Sequence, residues 1–314
     1  MRSPVRADIQ KHLRFNFITH TMEASFFGLA LGFASYVTVI PLFVASLTDS
    51  SVLIGVIAAM RTIGLQLPQI FTANRVAGLR RYKPMVLFMT VQERLPFFGM
   101  ALVALLSPRM ETGTTLALMF LFVIWQAMGG GLTGTAWQSM VAKIIPPRLR
   151  GTFYGVLMSA SNLMSSGGAI VAGLILSAGS APANFGLCFF LAGISLIISF
   201  GFLSQIREPE AAPASETTRS SREFWRGLRE ILRRDGNFRL FIGARLLAQV
   251  ASVGTAFFTV YAVRHFALDA GTAGVMTGVL LLAQVLTNPV FGWLGDRYSH
   301  RVMFAVGALL AGGS

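Results

Sequence analysis

The sequence has little charge and almost no cysteine. Only 12% of its 314 residues are charged, against about 25% in a water-soluble domain. With 54% hydrophobic residues, such a chain cannot cover its surface in water. That excludes an ordinary soluble domain and indicates an integral membrane protein. The single cysteine, Cys188, excludes an intramolecular disulfide and a Cys-rich metal centre. The patterns H-E-x-x-H, G-x-S-x-G and the P-loop are missing, so neither an enzyme nor a cofactor is expected. The first apolar run extends to about Leu47. It is too long for a signal peptide and reads as a retained transmembrane helix.

A membrane-spanning helix needs about 20 mainly apolar residues. That template predicts an all-α protein with spans near 17–47, 51–73, 84–107, 114–140, 151–178, 184–205, 238–263 and 272–295, and a ninth from 302 onward. The expected organisation is a six-helix N-terminal bundle over 1–206, a linker over 207–237, and an incomplete second bundle over 238–314. The last span is cut short at Ser314, which predicts a truncated product or a partial reading of a longer gene, unable by itself to alternate its access.

The basic residues set the expected orientation. Of 26 Lys and Arg, 21 fall in segments on one side of these spans and two, Arg109 and Arg264, on the other. This asymmetry predicts a cytoplasmic N-terminus and linker. It also accounts for the net charge of +13 without a nucleic-acid partner. The linker opens Arg207-Glu208-Pro209-Glu210 and becomes Ser/Thr-rich, a flexible composition. Residues 222–234 then read as an amphipathic helix, with Trp225 and Leu228 on one face and Arg226, Arg229 and Arg233 on the other. Such a helix suits a surface of anionic lipid; a calmodulin-like partner is the weaker alternative.

Two loops look like copies of each other. Pro68 and Pro289 are 221 positions apart, and Arg75 and Arg297 are 222 apart. Matched helix pairs ending in matched loops indicate a repeat of six helices. The second loop runs Gly292-Trp293-Leu294-Gly295-Asp296-Arg297-Tyr298-Ser299-His300-Arg301. Six helices, a basic linker and a second set resemble the major facilitator superfamily of secondary transporters. Its signature loop, G-x-L-x-D-R-x-G-R-R, is matched by Gly292, Leu294, Asp296, Arg297 and Arg301. The first loop departs from it: Asn74 stands in place of Asp, Arg75 matches, and Arg80 and Arg81 come two residues late. Pro146 to Gly151 also resembles the family's loop between helices 4 and 5.

The resemblance implies a carrier of small solutes, with or without a coupling proton or ion, in a bacterial-type plasma membrane. It implies gating roles for Asn74, Arg75, Arg80, Arg81, Asp296, Arg297 and Arg301, with Asp296 reaching the region after Arg150. Its alternative is a receptor, scaffold or assembly factor on the same fold that transports nothing.

Ionisable residues inside spans are costly and invite functional readings. Arg61 and Glu93 both fall near mid-membrane, so they are expected to pair, either as a helix-to-helix tie or with Glu93 carrying a coupling proton. Arg245, with Gln249 one turn on, falls on a cavity-lining helix of the family. It would bind an anionic substrate or close the inner gate, or else snorkel to the interface. Tyr36 and Gln126 would add an aromatic wall and a hydrogen-bond partner. His20 and Glu23 share one face near the cytoplasmic end, where polar residues are cheap, and two such ligands do not make a metal site. Small residues at fourfold spacing (Gly151, Gly155, Ser159; Ser165, Ala169, Gly173) predict close approach by a neighbouring helix. The family's antiporter Gly-Pro pair is missing from Ser166-Gly167-Gly168.

Overall fold

The computed structural model describes residues 4–178, 182–210, 221–244, 247, 270–299, 302–303, 305–307 and 309. Among them every regular element is helical: α1 (Pro4–Phe33), α2 (Val39–Ala45), α3 (Ser51–Ala77), α4 (Lys83–Arg94), α5 (Pro96–Leu106), α6 (Thr112–Ile144), α7 (Arg150–Ala178), α8 (Ala183–Gln205), α9 (Ser221–Arg234) and α10 (Ala270–Arg297). One compact unit comprises 1–214 with 284–314, and a second comprises 215–283. In the second unit the expected amphipathic helix is α9, and the Asp235 carboxylate accepts the Phe238 N–H at 2.9 Å as the next helix begins.

Among the described residues, five helical stretches are long and apolar enough to cross a membrane: Val52–Ala77, Lys83–Arg109, Thr112–Ile144, Pro147–Ala178 and Ala183–Gln205. Their outward side chains include Phe71, Phe88, Ile170 and Leu174, an apolar surface of the kind lipid accepts and water does not. In the first unit α1 packs on α7 and α8, α3 on α6, and α4 and α5 on both α6 and α8.

The first apolar run is not one helix, as expected from its length, but two. The Ser35 hydroxyl accepts the N–H groups of Val37 and Thr38, each at 3.2 Å, which competes with helical pairing. Pro41, lacking an N–H, then stands in the first turn of α2. The third run also divides, between α4 and α5, where Pro96 cannot donate to the Gln92 carbonyl.

Proline breaks and glycine meet at one place. Pro68 inside α3 frees the Gly64 carbonyl just as Pro96 frees that of Gln92. The run Gly129-Gly130-Gly131 on α6 lies between them. A Cβ on Gly129 would come within 2.7 Å of the Gln92 oxygen, and one on Gly131 within 2.5 Å of the Gly64 oxygen. Only glycine lets three backbones converge this closely.

Two apolar clusters fill the bundle. One includes Phe43, Phe97, Met119 and Phe189; the other includes Val86, Met140, Phe153 and Leu203. On α4, α6 and α8 the residues between them, including Thr90, Arg94, Thr133 and Ser199, are polar and buried.

Candidate functional site

That polar layer is built around Arg94. Its guanidinium lies 3.4 Å from the Glu23 carboxylate on α1 and 3.9 Å from Glu93 on its own helix. It donates to the Leu196 carbonyl at 3.2 Å and to the Ser199 hydroxyl at 3.2 Å, both on α8. It also bonds the Thr90 hydroxyl, and lies over the rings of Phe27 and Phe200 at 5.6 and 5.8 Å. The Ser199 hydroxyl donates to Glu23 at 3.3 Å, and the Thr90 hydroxyl to Glu93 at 3.4 Å. Beside this group is a cavity of about 220 Å³ lined by Glu23, Glu93, Arg94, Thr133, Trp137 and Ser161, among others.

Sequence reasoning placed Arg94 inside a span and gave it no role. The signal was the juxtaposition of Glu93 and Arg94 just before Pro96, together with a second acid, Glu23, on another span. The expected Arg61–Glu93 ion pair is not among the contacts of the described residues. Glu93 faces Arg94 and Thr90, while the Arg61 guanidinium stands 4.4 Å over the Tyr36 ring. The reason is rotational: α3 turns Arg61 toward the joint between α1 and α2, where Tyr36 lies. The Tyr36 hydroxyl donates to the Gln126 side-chain oxygen of α6. Three predicted residues, Tyr36, Arg61 and Gln126, are thereby brought together. Trp125, beside them in sequence, donates its indole N–H to Gln92 at 3.0 Å.

His20 and Glu23 do not lie at a cheap interfacial position, as their place in the sequence suggested. Both are buried. The His20 ring packs edge-on against Trp137 and Phe153, at 5.8 and 5.6 Å, and its two nitrogens have no hydrogen-bond partner among the described residues. α1 is covered by α7 and α8 along this stretch, so both residues leave solvent.

The second signature loop makes the contact expected of it. One Asp296 oxygen accepts the Gly151 N–H at 2.8 Å, and the other accepts the Thr152 N–H at 2.6 Å. These donors belong to the first turn of α7, which has no intrahelical use for them and favours a negative charge. The approach depends on the fourfold stripe of small residues. A Cβ on Gly151 would overlap the Gly292 carbonyl, a Cβ on Gly155 the Asn288 carbonyl, and the Ser159 hydroxyl donates to the Val285 carbonyl at 2.7 Å. Arg297 lies 5.3 Å over the Trp293 ring.

The first loop is tied differently. Arg75 lies in the last turn of α3, its carbonyl accepting the Gly78 N–H at 3.3 Å, and Asn74 is half-buried. The Arg80 carbonyl accepts from Lys143 of α6 at 2.7 Å, and Arg81 lies 3.7 Å from Glu210. Glu208 is the hub. It accepts the N–H groups of Tyr82 and Lys83, at 2.9 and 2.7 Å, where α4 begins, and pairs with Lys143 at 2.8 Å. Burial, and then the Glu208 charge, push the Tyr82 phenol above its usual value. Residues 207–210, which read from composition as the start of a flexible linker, are therefore held to the bundle. Asn16 completes the hold, exchanging hydrogen bonds of 2.8 and 2.9 Å with the Arg207 backbone. Arg245, Gln249, His300 and Arg301 lie outside the described residues.

A search of curated proteins finds no match. A family model described as Major Facilitator Superfamily matches residues 22–314, nearly the whole chain. With its long apolar helices, and with Asp296 seated on the start of α7 where the signature loop led us to look, the chain belongs to the major facilitator superfamily of membrane transporters.

Proposed function

We propose that this integral membrane protein is a secondary carrier of a small anionic solute, working by alternating access between two six-helix halves. In this reading residues 1–206 form the first half, 207–237 the linker and 238–314 part of the second, with eight spans and the start of a ninth. The N-terminus and linker face the cytoplasm, as the charge asymmetry requires, and α9 rests on anionic lipid. The observation that carries the proposal is the Asp296 carboxylate on the α7 N-terminus. A charge held by two partly buried helix-start donors and a close glycine crossing is strong when dry, yet separable once water enters. It acts as a cytoplasmic latch, together with Arg297 and Arg301 of the same signature loop. Asn74, Arg75, Arg80 and Arg81 act in the first-half loop, where the charge of the missing Asp is supplied in part by Glu208.

The solute would meet Tyr36, Arg61 and Gln126. Arg61 supports an anion: among the described residues it has no carboxylate at ion-pair distance, and its guanidinium is held face-on by Tyr36.

Two measurements test this reading. Asp296→Asn keeps the side-chain shape but loses the charge, so it weakens each of two charge-assisted bonds of about 1.5–3 kcal/mol. In the full-length protein, saturable uptake into proteoliposomes should fall at least about tenfold at equal protein density; unchanged uptake removes the latch. A thermal-shift screen of carboxylates and other anions should find a stabilising ligand. Arg61→Gln should weaken that ligand about 10- to 100-fold while Arg61→Lys retains part of the affinity. A receptor or scaffold on the same fold would show no saturable flux in any of these assays.

A further inference from the structure

We propose that Glu23, Glu93 and Arg94 form a proton-binding site, in which two carboxylates share one guanidinium and one exchangeable proton. The three side chains are 8%, 12% and 7% exposed. Glu23 is seven residues along α1 from Asn16, the residue bonded to Arg207 at the end of the bundle. At about 1.5 Å per residue it lies roughly 10 Å inside that end. Two negative charges there face one positive charge, and an unbalanced charge away from water is costly. One proton held between the two acids makes the cluster neutral.

Among the described residues no other cation stands within ion-pair distance of the two acids. From α1 only Glu23 faces Arg94, since His20 is turned onto Trp137 and Phe153. From α4 come Thr90, Glu93 and Arg94. From α8 come the Leu196 carbonyl and the Ser199 hydroxyl. α6 brings Gly130, Thr133 and Trp137, and α7 brings Ser161, none of them charged. Arg61 of α3 acts on Glu93 only at longer range, its guanidinium being occupied by the Tyr36 ring. The cavity beside the acids, at about 220 Å³, has room for several waters at about 30 Å³ each, which gives protons a route in.

The placement also gives the proton something to do. Arg94 joins α1, through Glu23, to α4 and α8. A proton on Glu23 releases α1 from that tie, whereas a proton on Glu93 leaves it intact. Movement of the proton between the two acids therefore switches the packing of α1, the helix leading to Tyr36. This coupling role rests on the carrier reading; the proton site itself does not.

The test is infrared difference spectroscopy of the whole chain in lipid vesicles, recorded across a pH step with exchange into heavy water. The wild-type protein should show one titrating band of a protonated carboxyl group. Glu23→Gln and Glu93→Gln should each abolish it, because the remaining acid is then matched by Arg94. Arg94→Gln should leave two acids without a cation and increase the band about twofold. Absence of the band in the wild-type protein overturns the proposal even where the variants fail to fold. Its persistence in both glutamine variants overturns it as well. A titrating band that behaves as expected, in a protein that shows no pH-driven uptake of any anion tested, establishes the proton site and removes the carrier reading.

Discussion

Replacing Arg94 with Met should cost about 3–5 kcal/mol of stability, the penalty for removing one partner of a buried ion pair. Met matches much of the arginine stem, so packing against Phe27 and Phe200 is largely kept. What is lost is the only cation within ion-pair distance of Glu23 and Glu93 among the described residues. The check is the thermal unfolding midpoint in detergent, together with the yield of folded protein. Glu23→Gln introduced into the Arg94→Met chain should recover about half of the loss, because a neutral amide tolerates the site that a lone carboxylate does not. If Arg94→Met were as stable as the wild type, Arg94 would be an ordinary packed side chain.

Glu208→Ala should be comparably damaging, again about 3–5 kcal/mol. Its side chain is 1% exposed, and Lys143 beside it is 12% exposed. Alanine would leave the ammonium of Lys143 with the Arg80 carbonyl and the Tyr82 ring but no carboxylate, and would leave two N–H groups at the start of α4 uncapped. Glu208→Gln, which keeps an acceptor, should lose about half as much. Protease sensitivity after Gln205 reads the same event from the linker side, since Glu208 and Arg207 hold 207–210 on the bundle. Asp296 uses the same device, a carboxylate on a helix start, to a different end. It is only partly buried, and the helix that carries it comes after the linker. Losing Glu208 should lower the stability of the first bundle, whereas losing Asp296, under the proposed latch role, should act on uptake.

The parts of this architecture that depend on one helix at a time were legible in the sequence. Residues 51–73, 114–140, 151–178 and 184–205 differ from α3, α6, α7 and α8 by a few terminal residues. The amphipathic α9 and the fourfold stripe on α7 were also visible, because side-chain periodicity is a local property. The contact of Asp296 with the residues after Arg150 was reached through the signature loop, not through periodicity. The division of the first run was missed because hydropathy sums side chains, and Ser35 and Pro41 redirect the backbone without making the run less apolar.

The sequence by itself determined that the chain resides in a membrane, where its longest helices run, which way its charge asymmetry points, and that its second loop would reach the residues after Arg150. Only the tertiary structure decided which charges meet. Arg61 and Glu93 stand at compatible depths, yet Arg61 faces Tyr36 and Glu93 shares Arg94 with Glu23. Depth along a helix follows from counting residues, but a partner depends on how each helix is rotated about its axis. That rotation is set by packing, here by the glycines of α6 wedged between two proline-freed carbonyls, and no single helix contains that information.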